Sequence, residues 1–257
     1  MNSITKKIIQ AFCSLLFWIG LWTIASFKIN NAFILPSPIQ VLKAMFKLFQ
    51  DPKFLMITAQ SLIRIFLGVL IAIIVGIFIA VFSVRFSFVN MLITPFMSTV
   101  KATPVASFIF VAIIFLTRNI LPVFITILLV LPIIWTNISS GIRSTSKELL
   151  EVAKVYRFSP ITKITKLYIP TVIPYFLAAC RSALGMAWKA GVAAEVLCIP
   201  TAAIGTELYY AKTYMDTESL FAWTLITILL SLVIEKSIVF FISKFSSNIN
   251  TETEVRA

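Results

Sequence analysis

The chain has 257 residues, 60% hydrophobic and 12% charged, with a mean hydropathy of +1.00. A soluble domain of this size must wet its surface, so this composition excludes one; apolar runs beyond about eighteen residues mark bilayer spans instead. The 22 Lys and Arg against 10 Asp and Glu leave a formal charge of +12, which in a polytopic membrane protein collects in cytoplasmic loops and at anionic headgroups rather than on nucleic acid.

Histidine is absent, which removes the commonest general base and metal ligand. Cys13, Cys180 and Cys198 lie in or beside apolar segments without metal-like spacing and read as small core residues. Without a nucleotide-binding glycine loop or clustered carboxylates, the chain is expected to be no enzyme. Its energy source must be a partner or an ion gradient.

In chain order, Lys6 and Lys7 precede an apolar run from Ile8 to Phe27, read as a first span. Leu35-Pro36-Ser37-Pro38 then gives a rigid turn, followed by an amphipathic helix over about 39–49. The loop around it carries Lys28, Lys43, Lys47 and Lys53, and so opposes the charge rule if it faces outward. A second span covers about 58–84, with Gly68 and Gly76 on one face for close helix contact. Arg64 sits near its outer end, where snorkelling to headgroups is expected. Residues 88–117 form a third segment broken by Pro95 and Pro104, with Lys101 between them; broken backbone is tolerated only inside protein or beside a cavity. A fourth span covers about 120–140, a fifth 174–197 and the last 220–241. The fold class is therefore all-α, with about six transmembrane helices.

Between spans four and five lies a polar, basic island, TSKELLEVAKVYRFSPITKITKLYIPTVIP. Thr145 with Glu148 three residues on resembles a capping box, opening a helix with Leu149, Val152, Ala153 and Tyr156 on one face. Ser159-Pro160 opens a second short helix with Ile161, Ile164 and Tyr168 as its stripe, and Pro170 is expected to stop it. Six cations between 143 and 166 against Glu148 and Glu151 place this loop inside, and the acidic loop 198–219 outside. A narrow apolar face on the water side fits either a protein groove or the lipid surface.

Glu151-Val152-Ala153, position 157 and Leu167-Tyr168-Ile169-Pro170 resemble, with matching spacing, the EAA-x3-G-x9-I-x-L-P loop of bacterial ABC-importer permeases. Arg157 departs from that pattern, standing at its glycine. Leu35-Pro36-Ser37-Pro38, Ser61-Leu62-Ile63-Arg64, Lys101-Ala102-Thr103-Pro104, the run from Cys180 to Lys189, Ala194-Glu195 and Ile204-Gly205 resemble the nitrate/sulfonate/taurine-type subfamily. This likeness spans about residues 30–245. It implies a type I ABC-importer permease fold with cytoplasmic coupling helices, in a bacterial inner membrane with both termini cytoplasmic. One permease domain would fill 1–257, with an extra N-terminal span at 1–30, core spans within 57–243 and the coupling loop at 144–171. The implied partners are a second permease copy, two ABC ATPase subunits that bind ATP and magnesium, and an extracytoplasmic substrate-binding protein. Glu148, Leu149, Glu151, Val152, Ala153, Tyr156, Arg157, Leu167 and Pro170 would then couple to the ATPase. At Arg157 a turn rebuilt with negative φ is expected, since strain there costs about 1–3 kcal/mol and needs compensation.

Arg181, Gly185 and Lys189 recur every four residues in span five with Ser182 beside them, the two charges about 12 Å apart along the helix. Cations at bilayer depth cost about 2.5–3.5 kcal/mol on insertion scales, so they should face protein or water. They line a pathway for a small anionic solute, or else form structural ion pairs or snorkel; Arg64, Lys101 and Glu195 join the candidates. Glu195, near the outer end, serves as a gate or a salt-bridge partner. The alternative from another class is an ion-coupled secondary carrier, for which the clear intraspan acid is Glu235.

Overall fold

The structure is a computed structural model and describes residues 3–254. The placing of both termini on one side therefore falls partly outside the described residues. No strand occurs among those residues. Helix α1 (Ser3–Ile29) holds the first span, and α2 (Pro38–Gln50) is the amphipathic helix. Its N-cap Ser37 and Gln40 form a capping box that was not expected.

The centre is a three-helix unit of α3 (Lys53–Arg85), α6 (Leu121–Arg143) and α9 (Ile169–Cys198), the most extensively paired helices. Lipid tails are as apolar as leucine, so such helices associate by close packing rather than by water exclusion. Gly68 and Gly76 supply that closeness. A Cβ on Gly68 would lie 2.7 Å from Thr126 Cβ, and one on Gly76 2.8 Å from Ile134 Cγ2. Ala72 and Ala80 continue the same buried small-residue face. On α9, Ala179, Ala183 and Ala187 are fully buried in the same core, while Trp188 donates its indole N–H to Thr227 O at 3.1 Å. That bond joins α9 to α11 (Thr217–Glu254), the last span.

The third segment corrects one expectation. Helix α4 (Ser87–Ala102) runs through Pro95 unbroken, and the chain turns only at Pro104, before α5 (Val105–Ala112). Residue 103 must leave the α region before a proline, and Thr103 has φ −82 and ψ 132. The two helices meet at 104°. Among the described residues five helices are long and apolar enough to cross a membrane, or six if this bent pair counts as one span.

Pro170 does not stop the second short helix of the basic island, again against expectation. Helix α8 (Pro160–Lys163) passes through a π-turn at Ile164–Tyr168 straight into α9. The Ile169 N–H reaches back to Ile164 O, one residue further than in an α-helix. Pro170 then occupies the start of α9, where its missing N–H costs least. Helix therefore runs without a break from Pro160 to Cys198. Segment 198–219 is also more than a loop, since it contains α10 (Ile204–Thr213), packed on α9 and α11.

Candidate functional site

Helix α7 (Lys147–Val155) begins one residue later than expected. Its N-cap is Ser146, whose Oγ accepts from Leu149 N at 3.2 Å and donates to the Glu148 carboxylate. The adjacent Thr145 is buried instead and its hydroxyl finds no partner. The Ser146 hydroxyl and the local backbone hold the Glu148 carboxyl below its ordinary range.

The stripe on α7 divides. Leu149, Val152 and Tyr156 are exposed, with Tyr156 at 74%; Ile161 is exposed too, while Ile164 lines a groove with Ile77 and Val81 of α3. Ala153 is fully buried within the chain, so it is no part of the exposed face. Glu151 and Pro170 are exposed, and Leu167 is half-buried.

Arg157 overturns the rebuilt turn: its φ is +51°. Phe158 N bonds Ala153 O at 2.9 Å, and Arg157 N bonds Lys154 O at 3.1 Å. This is the Schellman arrangement, with a bulky residue where glycine is usual. The two backbone bonds, worth about 0.5–1.5 kcal/mol each, offset the left-handed strain of about 1–2 kcal/mol.

Arg181, Ser182, Gly185 and Lys189 do come together. They line one wall of a groove of about 1010 Å³, opposite Thr227, Ser231 and Glu235 of α11. Arg181, Ser182 and Lys189 are exposed on a helix long enough to span the bilayer. The other candidates lie elsewhere. Lys101 is exposed and donates to Thr136 Oγ1 at 2.8 Å.

Arg64 does not snorkel. Its Nη1 lies 3.3 Å from Glu195 Oε1 and 3.2 Å from Ala202 O, and its Nη2 donates to Gln60 Oε1 at 3.1 Å and to Thr201 O. Glu195 is fully buried; its Oε2 accepts from Ser61 Oγ at 2.8 Å and Gly205 N at 3.2 Å. Ser61 Oγ in turn accepts from Ile204 N at 2.9 Å. Gly205 must be glycine, because a Cβ there would sit 2.4 Å from Glu195 Cβ. Between these anchors Ile199 and Ala202 take φ of +50° and +45°, a strain of about 1–3 kcal/mol each. The sequence shows Ser61, Arg64, Glu195 and Gly205 in separate motifs, with Glu195 as a gate or salt-bridge partner, but does not join them to one another or to Asn119 and Thr201. A further local signal was that Ser61 and Arg64 lie three apart and so on one helix face.

Among the described residues no group of His, Cys, Asp and Glu fits a metal ion. The chain resembles the bicarbonate transport system permease protein CmpB of Synechocystis sp. (strain ATCC 27184 / PCC 6803 / Kazusa), 32% identical over 31% of this chain and 29% of that protein. It is 31% identical to the putative aliphatic sulfonates transport permease protein SsuC of Bacillus subtilis (strain 168), over 36% of this chain and 33% of the relative. The nitrate import permease protein NrtB of Synechococcus elongatus is 40% identical over 32% and 28%. The matched stretches thus span about a third of these relatives. A solved structure described as an amino acid ABC transporter with histidines shares the fold, with a TM-score of 0.63 at 17% identity, over 77% of this chain and 94% of that one. Residues 72–246 match the family described as binding-protein-dependent transport system inner membrane component, and the chain belongs to that family.

Proposed function

We propose that this chain is the membrane-spanning subunit of an ATP-driven importer, with one permease domain, a second copy of itself, two separate ATPase subunits and an extracytoplasmic binding protein. ATP and magnesium belong to the ATPase subunits. The basic coupling loop and both termini face the cytoplasm. The solute passes along the groove of Arg181, Ser182 and Lys189, which suits a small anion, as the names of the bicarbonate, nitrate and sulfonate relatives also suggest.

The observation that carries this reading is the exposed apolar face of α7, namely Leu149, Val152 and Tyr156 beside the Arg157 turn. It continues through α8 and the π-turn into α9, so a push on the coupling loop is delivered to span five. Co-expression with the ATPase tests it. Val152→Asp places a charge on the docking face without touching the core, and ATPase copurification should fall at least tenfold, about 1.4 kcal/mol, while membrane insertion is unchanged. Undiminished assembly counts against docking. Uptake that persists without the ATPase and follows an ion gradient would favour a secondary carrier.

A further inference from the structure

The end of the bundle remote from the coupling loop is closed by segment 199–205, held by three elements at once. Arg64 of α3 grips its Thr201 and Ala202 carbonyls, Ser61 of α3 takes Ile204 N–H, and Glu195 of α9 takes Gly205 N–H. Asn119, between α5 and α6, accepts from Thr201 N and Oγ1 at 3.0 Å each. These holds are polar, and Ile204 and Ala202 add apolar packing against the core.

The charges are buried as well, with the Glu195 side chain fully covered and Arg64 at 12% exposure. Buried ion pairs rarely outperform apolar packing for stability, yet they have two discrete arrangements, paired and parted. Meanwhile Ile199 is β-branched, precedes a proline and stands in the left-handed region at φ 50 and ψ 58, disfavoured on all three counts. Segment 199–203 is thus strained in its backbone and fastened by side chains.

We propose that Arg64 and Glu195 form a releasable clasp that holds segment 199–205 shut across the ends of α3 and α9, and that opens as the bundle changes state. The inference builds on the transport reading but concerns residues that reading does not use. Glu195 and Arg64 are positioning residues, acting through the segment rather than on the solute.

The test uses the full chain in membranes, with Cys13, Cys180 and Cys198 replaced and one cysteine introduced at Ala203, which is fully buried. Its labelling by a small thiol reagent reports opening. Glu195→Gln removes the charge at nearly constant shape and should raise labelling at least about tenfold, whereas Arg64→Lys, which keeps the pair's charges, should change it less. A second cysteine at Ala179, equally buried but deep in the core, reports general loosening and should stay protected in both variants. In the complex with its ATPase, Ala203→Cys should label at different rates with and without trapped ATP. A wild-type rate in Glu195→Gln, an equal rise at Ala179→Cys, or labelling indifferent to nucleotide each overturns the clasp. Failure of the ATPase to assemble overturns the transport reading instead, and the first comparison still decides whether a clasp exists.

Discussion

Arg157 shows how a local backbone rule can be followed with the wrong side chain. The helix ends through two Schellman bonds whatever residue stands there, and the left-handed φ is required by those bonds. Arg157→Gly should therefore keep ATPase assembly and raise the thermal stability of the segment by up to about 1 kcal/mol, part of the gain being lost to glycine's entropy. Arg157→Val, β-branched at positive φ, should lower both. Equal behaviour of the two variants in melting and copurification would refute the strain. A second residue offers a pH signature. Burial first, and then the nearby Asp51, raise the Glu207 carboxyl above its ordinary value, with Lys53 opposing. The folded state then binds the proton more tightly than the unfolded one, so this group's contribution to stability falls as pH rises from about 4.5 through the raised value. Glu207→Gln should melt higher than the parent near neutral pH, and the gap should close on acidification; a gap independent of pH would rule the carboxyl out as its cause.

At the scale of elements, the helix contacts are set by missing atoms. Gly76→Val would push Cβ and two methyls into Ile134 Cγ2, already 2.8 Å from the added Cβ. Overpacking of this kind costs about 1–3 kcal/mol and should part α3 from α6, seen as a lower melting temperature in detergent. Gly20, by contrast, has nothing within 4 Å, so the same change there should be silent. The spans and the Gly68/Gly76 face were legible in the sequence, because hydropathy and an eight-residue spacing are local signals. Pro104 was legible as a break, but Pro95 looked identical, and only the continuous helix distinguishes them. Pro170 misled for a similar reason: a π-turn shifts the register by one residue and absorbs the proline, and no composition marks it. The N-cap was missed by one residue, since Thr145 and Ser146 are both capping types. Glu195 was legible as a salt-bridge partner, but not Arg64 as the residue it pairs with, since a pairing across 131 positions has no period to read.

For the whole molecule, the question is where the passage runs. A single copy leaves Arg181, Ser182 and Lys189 uncovered on a spanning helix, with Glu235 across the groove. Facing lipid, two cations would be costly unless Glu235 or headgroups compensate them, which favours water or a second copy against this wall. The groove at the other end of span five, lined by Ile77, Val81, Tyr168 and Phe176, carries Arg85 as its one charged residue, and its otherwise apolar wall fits lipid. If solute passes the charged wall, each cation offers it a charge-assisted hydrogen bond. Removing one should weaken the apparent affinity for an anionic solute by about tenfold, at the low end of the 1.5–3 kcal/mol such bonds contribute. Arg181→Gln and Lys189→Gln should therefore both slow anion uptake in vesicles at limiting solute, while assembly with the proposed ATPase, for which the remote Leu149–Tyr156 face is the proposed dock, stays intact. Lys101→Gln, whose amine already bonds Thr136 outside the groove, provides the contrast and should leave uptake unchanged. Uptake lost equally in all three would reflect a general charge effect, and uptake kept in all three would move the passage away from α9.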